Sequence, residues 1–422
     1  MKNNQLFEKK TKKVMVLGAG RSQLPIIDLL HKYGCFVIVV SSKGDYPGFN
    51  CADSSVYLDV REKEEILKVA KEENIEAVLT DQLDEGVLTA AYISEQMGLK
   101  GIGYSVAQSF TDKYIMRNIA AKSGVSVPNY VSVCKKSDIK NAVVDLNFPL
   151  MIKPADSSAS RGIYKVGSLH ELEGKFDETI SWSHSGKAII EEYIEGIEYV
   201  VDSYTHQYKT KNLIVGHRDY FNIPNTFIPS ATIFTDAESA NSKLEKNIKD
   251  VNLSLIEGMG LSFGITHAEF IYNEEQDKIY LVEIAARGGG VFISSDLIPM
   301  ACGVNANELL VKDALNEEIS LENTKLTKGA SAYFCYLVPK GVIAKIKGIN
   351  EVKKIPNVSK AFFDNIFVGM ETVDITNKAS RKGPILVKGE TKEECYQTLN
   401  AIKEKLRIDI ITDNGVEHII WN

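Results

Sequence analysis

Residues 265–290 read ITHAEFIYNEEQDKIYLVEIAARGGG. Two apolar-rich runs, 265–272 and 279–284, flank a polar turn over 274–278, the pattern of a β-hairpin. If Asn273 pairs with Ile279, an unbroken antiparallel ladder sets Glu269 opposite Glu283, with Cβ atoms about 5 Å apart on one face. Two carboxylates so placed repel unless a cation lies between them or one holds a proton. Strand-borne carboxylates beside phosphates suit Mg²⁺, which takes hard oxygens and keeps several waters. A one-residue slip would put the two acids on opposite faces. His267 shares the face of Glu269. Arg287 follows four residues after Glu283 and leads Gly288-Gly289-Gly290. A guanidinium there can neutralise a substrate carboxylate or a transferring phosphoryl group through two parallel bonds. The glycines allow close backbone approach to a ligand.

Upstream, Lys153 closes the apolar strand 150–152 and is followed by Pro-Ala-Asp-Ser-Ser-Ala-Ser-Arg-Gly over 154–162, then a new strand over 163–166. Small side chains let backbone N–H groups approach phosphate oxygens, and Gly162 can act as a hinge for opening and closing. The stretch 189–198, IIEEYIEGIE, is two strand-like pieces joined by a short connector. The connector's backbone can read an adenine edge, and Glu198 beyond it can hold ribose hydroxyls. An exposed acidic hairpin is the plainer reading of that stretch.

The N-terminal part alternates strand and helix. Strands are expected at 13–17, 35–40 and 76–80, and helices at 24–32, 63–73 and 85–97, which implies a parallel, Rossmann-like sheet. Gly18-Ala19-Gly20 follows the first strand, but the third glycine of a dinucleotide fingerprint is replaced by Gln23. Ser41-Ser42 stand where its acid belongs. A tight turn is the favoured reading, and a loop lining a small molecule the other. Thr111-Asp112 can cap a helix to about Lys122. Helices are also expected at 239–259, 304–315 and 392–406, among many short strands.

Composition narrows the classes. The 422 residues carry 49 Lys and Arg against 56 Asp and Glu, a net charge of −7, which argues against a nucleic-acid binder. No apolar run reaches the roughly 18 residues a membrane helix needs. Residues 1–13 are polar and lysine-rich, read as neither signal peptide nor anchor. The six cysteines form no C-x-x-C, so a zinc site or disulfide framework is not expected and a reducing cytoplasm fits.

In this order the pieces resemble the ATP-grasp superfamily of carboxylate–amine ligases over about residues 13–421. The carriers are T-D-K-x-x-M-R at 111–117, I-K-P at 152–154, the small-residue loop, E-E-Y-I-x-G-x-E at 191–198, H-x-E at 267–269 and E-I-A-A-R at 283–287. G-x-x-H-x-E at 264–269, with a glycine-rich turn after the arginine, looks most like the L-amino-acid ligase or biotin-carboxylase-like branch. The resemblance implies an α/β plus α+β ATP-grasp architecture. It would comprise a Rossmann-like domain (1–110), a central ATP-grasp domain with a mobile hairpin (111–328) and a C-terminal α+β subdomain (329–422).

It also implies roles. Lys113 and Lys153 would contact ATP phosphates, under a cover made by Ser157, Ser158, Ser160 and Gly162. Glu191, Glu192, Tyr193 and Ile194 would line the adenine, and Glu198 the ribose. Glu269 and Glu283 would hold two Mg²⁺ ions, with Mn²⁺ as a substitute. Arg287 and Lys153 would be catalytic, offsetting developing charge, and His267, Arg287, Gly288 and Gly289 would face the substrate. Two positions depart from the family pattern: Ala285 replaces a usual Asn, and the cover loop has only Gly162.

The implied reaction phosphorylates a carboxylate with ATP and lets an amine displace the phosphate, so the partners are a small-molecule carboxylate and amine. A homodimer is compatible with it. The runner-up within the fold activates bicarbonate or formate, as in a carboxylase-like or purine-pathway enzyme. A non-catalytic nucleotide-binding protein and an NAD-dependent oxidoreductase built on Gly18–Gly20 are the readings from other classes. Substrate side chains would be read by loops around 217–229 and 381–383.

Overall fold

The computed structural model describes residues 11–158, 161–223 and 226–421. Four sheets organise it. The first is parallel, in the order Ser54–Tyr57, Phe36–Ser41, Lys13–Leu17, Ala77–Leu79. Its central strands are apolar on both faces, as a sheet covered by helices on both sides requires. Val14, Val16, Val37 and Val39 pack against helix Leu24–Lys32. Met15, Leu17, Ile38 and Val40 pack against Lys63–Glu73 and Val87–Met97. The edge strand Ser54–Tyr57 and the helix Tyr104–Thr111 were not expected, since neither carries an apolar run of its own. Gly18, at φ +106°, turns the chain, donating its N–H to the Val40 carbonyl at 2.8 Å. Gln23, in the third-glycine place, is buried and donates to the Asp81 carbonyl at 2.7 Å.

The second sheet is antiparallel: Tyr130–Val133, Ala188–Glu192, Leu150–Pro154, Tyr164–Val166. Helix Leu169–Ser181 covers one face of it through Leu172 and Phe176. The third has eight strands, in the order Lys278–Ala285, Phe263–Asn273, Ile197–His206, Lys209–Tyr220, Pro229–Asp236, Ala330–Tyr336, Lys382–Gly389, Val358–Ala361. It therefore runs across residue 328. A small fourth sheet, Glu371–Thr372, Gly341–Lys347, Arg407–Thr412, Gly415–His418, lies near the C-terminus.

Capping sets the helix starts. Asp112 accepts from the N–H groups of Tyr114 and Ile115 and begins Lys113–Lys122. The helix expected at 239–259 starts instead at Lys243. Ser242 and Glu245 form a reciprocal capping box there, each bonding the other's backbone N–H. No helix among the described residues is long and apolar enough to cross a membrane.

The 265–290 hairpin pairs its acids as expected but by another route. Next to the turn Asn273 pairs with Lys278, not Ile279, and this register continues to Phe270 with Leu281. A β-bulge then leaves Val282 unpaired, and beyond it Glu269 faces Glu283. The unbroken ladder was wrong, and one extra residue restores the face-to-face pair.

Candidate active site

A cavity of about 330 Å³ lies between the second and third sheets, with Gln82 and Asp84 of the N-terminal layer on its rim. On the side of the second sheet stand Lys113 and Lys153, both nearly buried. Lys113 is the first residue of its helix. Its Nζ donates to the Ser157 carbonyl at 2.8 Å and pairs with Glu283 Oε1 at 3.2 Å. Lys153 pairs with Glu191, whose other oxygen accepts from Arg117 Nε at 3.1 Å. Burial alone would raise the Glu191 carboxyl, but Arg117 and Lys153 together hold it down to about 2.

Ser157, Ser158, Glu192, Tyr193 and Ile194 also line the cavity. The Glu192 carboxylate accepts from Asn147 and Asn129, and its backbone N–H donates to the Asn129 carbonyl at 3.0 Å. Lys165 Nζ lies 3.6 Å from the Tyr193 ring centroid. Gly162 is not among the lining residues. It takes φ +67°, and a Cβ there would meet Trp182 at 2.7 Å. Ser160 lies outside the described residues. Arg161 and Ser158 both bond Glu85, so the covering loop touches the N-terminal layer.

On the third sheet the carboxylates face the cavity. Glu269 Oε1 accepts from Arg218 Nη1 at 2.8 Å and stands 3.4 Å from His267 Nε2. Arg218 Nη1 also bonds Glu198, whose other oxygen accepts from Tyr220 Oη. Glu198 thus joins the carboxylate cluster, with both of its oxygens engaged, and lines the cavity. Burial, with Glu269 nearby, pushes the Glu198 carboxyl up against the pull of Arg218. Burial would raise Glu269 too, but Arg218 and His267 hold it well below the usual range. His267 Nδ1 lies 2.9 Å from the fully buried Asp202. Burial lowers the imidazole's pKa, yet Asp202 and Glu269 prevail and it rises to about 8.

Arg287 makes a two-pronged contact with Asp84, Nε to Oδ1 and Nη2 to Oδ2, each 2.9 Å. Its guanidinium reaches the cavity already paired. Gly288 and Gly289 are not among the lining residues. A Cβ on Gly288 would meet Asp81 Oδ1 at 2.2 Å, and on Gly289 His267 Nδ1 at 2.6 Å. Their close approach is to protein atoms, whereas Gly290 does line the cavity. Of the two expected substrate loops, Arg218, Tyr220, Phe227, Pro229 and Arg381 line the wall. Tyr333 and Lys378 join them without a sequence signal.

The donor set accepts Mg²⁺. Glu283 is 36% exposed toward the cavity and faces Glu269 across the ladder. Two carboxylates leave most of an octahedral shell to phosphate oxygens and water, as this ion prefers. Ala285 stands opposite His267 and brings no oxygen. Among the described residues no three His, Cys, Asp or Glu side chains gather as a metal cage.

The carboxylate pair on one antiparallel sheet thus faces Lys153 of a second sheet and Lys113 at a helix start across one cavity. Residues 146–296 match the ATP-grasp domain model, and the chain has the ATP-grasp fold, that of ATP-dependent ligases which use ATP and Mg²⁺ and act on small molecules. The L-amino acid ligase from Bacillus licheniformis superposes with a TM-score of 0.80 at 20% identity, covering 95% of this chain and 99% of that one. That likeness establishes the fold. The formate-dependent phosphoribosylglycinamide formyltransferase of Sulfurisphaera tokodaii is 25% identical over 409 residues, 93% of this chain and 96% of that protein. The urea amidolyase of Saccharomyces cerevisiae is 22% identical over 94% of this chain, which spans only 22% of that protein's length.

Proposed function

We propose that this protein activates a small carboxylate with ATP as an acyl phosphate and joins it to an amine, releasing ADP and phosphate. The supporting observation is the placement of Glu269 opposite Glu283, open to a cavity that also holds Lys113 and Lys153. Lys113 and Lys153 bind phosphate oxygens, each turning part of its charge from Glu283 and Glu191 to the nucleotide. The Glu191–Ile194 backbone lines the base. Arg287, oriented by Asp84, presents its guanidinium to the carboxylate. The carboxylate oxygen forms a bond to the γ-phosphorus as the bond to ADP breaks. The amine nitrogen then bonds the carbonyl carbon, loses a proton, and inorganic phosphate departs with the bonding electrons. Bound between Glu269 and Glu283, Mg²⁺ would supply charge neutralisation of the phosphate oxygens. The covering loop excludes water that would hydrolyse the intermediate.

On the same reading two ions bind, Mn²⁺ substitutes, and 1–110, 111–328 and 329–422 are subdomains, the last two sharing the eight-stranded sheet. A homodimer is compatible with this reading, as is a cytoplasmic setting, with which the six free thiols agree. Amino acids are the first acids and amines to try, because the fold matches an L-amino acid ligase. Formate activation is the second reading, carried by the relative named for it. A phosphate-release screen over pairs of amino acids and small acids tests both, with hydroxylamine added in parallel. The expected result is a hydroxamate from every accepted acid. ADP release without hydroxamate from any of them would refute the acyl phosphate.

A further inference from the structure

Arg117 is 0% exposed and touches neither the cavity nor solvent, yet it joins the two halves of the site. It lies four residues after Lys113 on helix Lys113–Lys122, so both side chains leave the same helix face. Lys113 reaches Glu283. Arg117 reaches the preceding residue, its Nη2 donating to the Val282 carbonyl at 2.8 Å. Val282 is the unpaired residue of the bulge. The same guanidinium holds Glu191 through Nε at 3.1 Å and Nη2 at 3.4 Å, and Glu191 in turn holds Lys153. Arg117 Nη1 is buried with no acceptor among the described residues, so the fork is committed to these two targets alone.

We infer that Arg117 is a positioning residue that sets the bulge, and through it the aim of Glu283 toward the metal, while fixing Lys153 at the opposite wall. The inference rests on the metal-dependent nucleotide site proposed above. The continuous link runs from Lys153 through Glu191 and Arg117 to the Val282 carbonyl. Without the bulge, the register near the turn would continue and Glu283 would not face Glu269. A planar fork can serve a carboxylate and a carbonyl at once; an ammonium is a point donor and cannot span both.

Arg117→Lys keeps the positive charge beside Glu191 while giving up the bond to Val282. Calorimetric titration of the full-length protein with ADP, without metal and over a Mg²⁺ series, reads the outcome. The expected result is a rise of about 10-fold or more in half-saturating Mg²⁺, the size outer-shell changes produce. Metal-free ADP affinity should stay within about twofold, since Lys153 and Lys113 are untouched. Arg117→Met, which also strands Glu191, should lower metal-free ADP affinity as well, because Lys153 then serves Glu191 alone. Equal Mg²⁺ dependence in Arg117→Lys and the wild type overturns the inference. So does a loss of ADP affinity in Arg117→Lys that is the same with and without metal. A wild type whose ADP binding ignores Mg²⁺ would instead overturn the metal site itself.

Discussion

Glu283 and Glu269 face each other yet live under different constraints. Among the described residues Glu283 has one partner, Lys113, and remains 36% exposed; Glu269 is bound by Arg218 and His267 and is 16% exposed. Glu283→Gln should therefore abolish metal-dependent turnover with little loss of stability, measured as phosphate release beside a thermal melt. Activity close to wild type would remove Glu283 from the metal site. Glu191 is the opposite case, a buried acid held at about 2 by Arg117 and Lys153. Unfolded, its pKa is about 4.3, so the stability it contributes is complete above that value and is lost as pH falls through 2. The loss is about 3 kcal/mol over that window. Urea midpoints of wild type and Glu191→Gln should converge as the pH drops from 5 toward 2; a constant gap would contradict the shift. The sequence pattern singled out Lys153, Glu269, Glu283 and Arg287, all of which line the cavity. It did not show partners. Asp84, Asp202 and Arg218 lie 203, 65 and 51 positions from Arg287, His267 and Glu269, and no local pattern announces them.

At the scale of elements, strands and helices were legible where apolar periodicity is strong, as in Lys63–Glu73, and less so where a cap decides, as at Ser242. A bulge leaves no mark in periodicity, and so the correct facing of the acids was reached through a wrong register. The triple glycine was legible as close approach but not as to what. Gly289→Ala should cost about 1–3 kcal/mol by overpacking, since its Cβ would meet His267 and Ile293. The substitution should also move the His267 imidazole signals in an NMR spectrum. An unchanged melt and spectrum would show that the turn relaxes freely.

For the whole molecule, the site is assembled from distant parts. The stretch following strand Ala77–Leu79 supplies Asp81, Gln82, Asp84 and Glu85, which bond Gly288, Phe292, Arg287 and Arg161. The third sheet runs on into strands after residue 328, and this long-range pairing was beyond reading from local runs. A ligand seated among so many elements should stabilise them together. Saturation with MgADP at 100 times its dissociation constant should add about 2.7 kcal/mol. In denaturant melts, the shift should grow with ADP concentration and shrink when EDTA removes the metal. A shift that ignores EDTA would separate nucleotide binding from the carboxylate pair.

The hairpin also sets a rule for anyone who rebuilds it. Counting outward from the tip and counting inward from the acids disagree by one position, and the disagreement sits at Val282. A transplanted tip must be spliced beyond Phe270 and Leu281, on the tip side of that offset. A graft that straightens it would carry Glu283 out of alignment with its opposite number, leaving every chemical group present and the proposed cation grip gone.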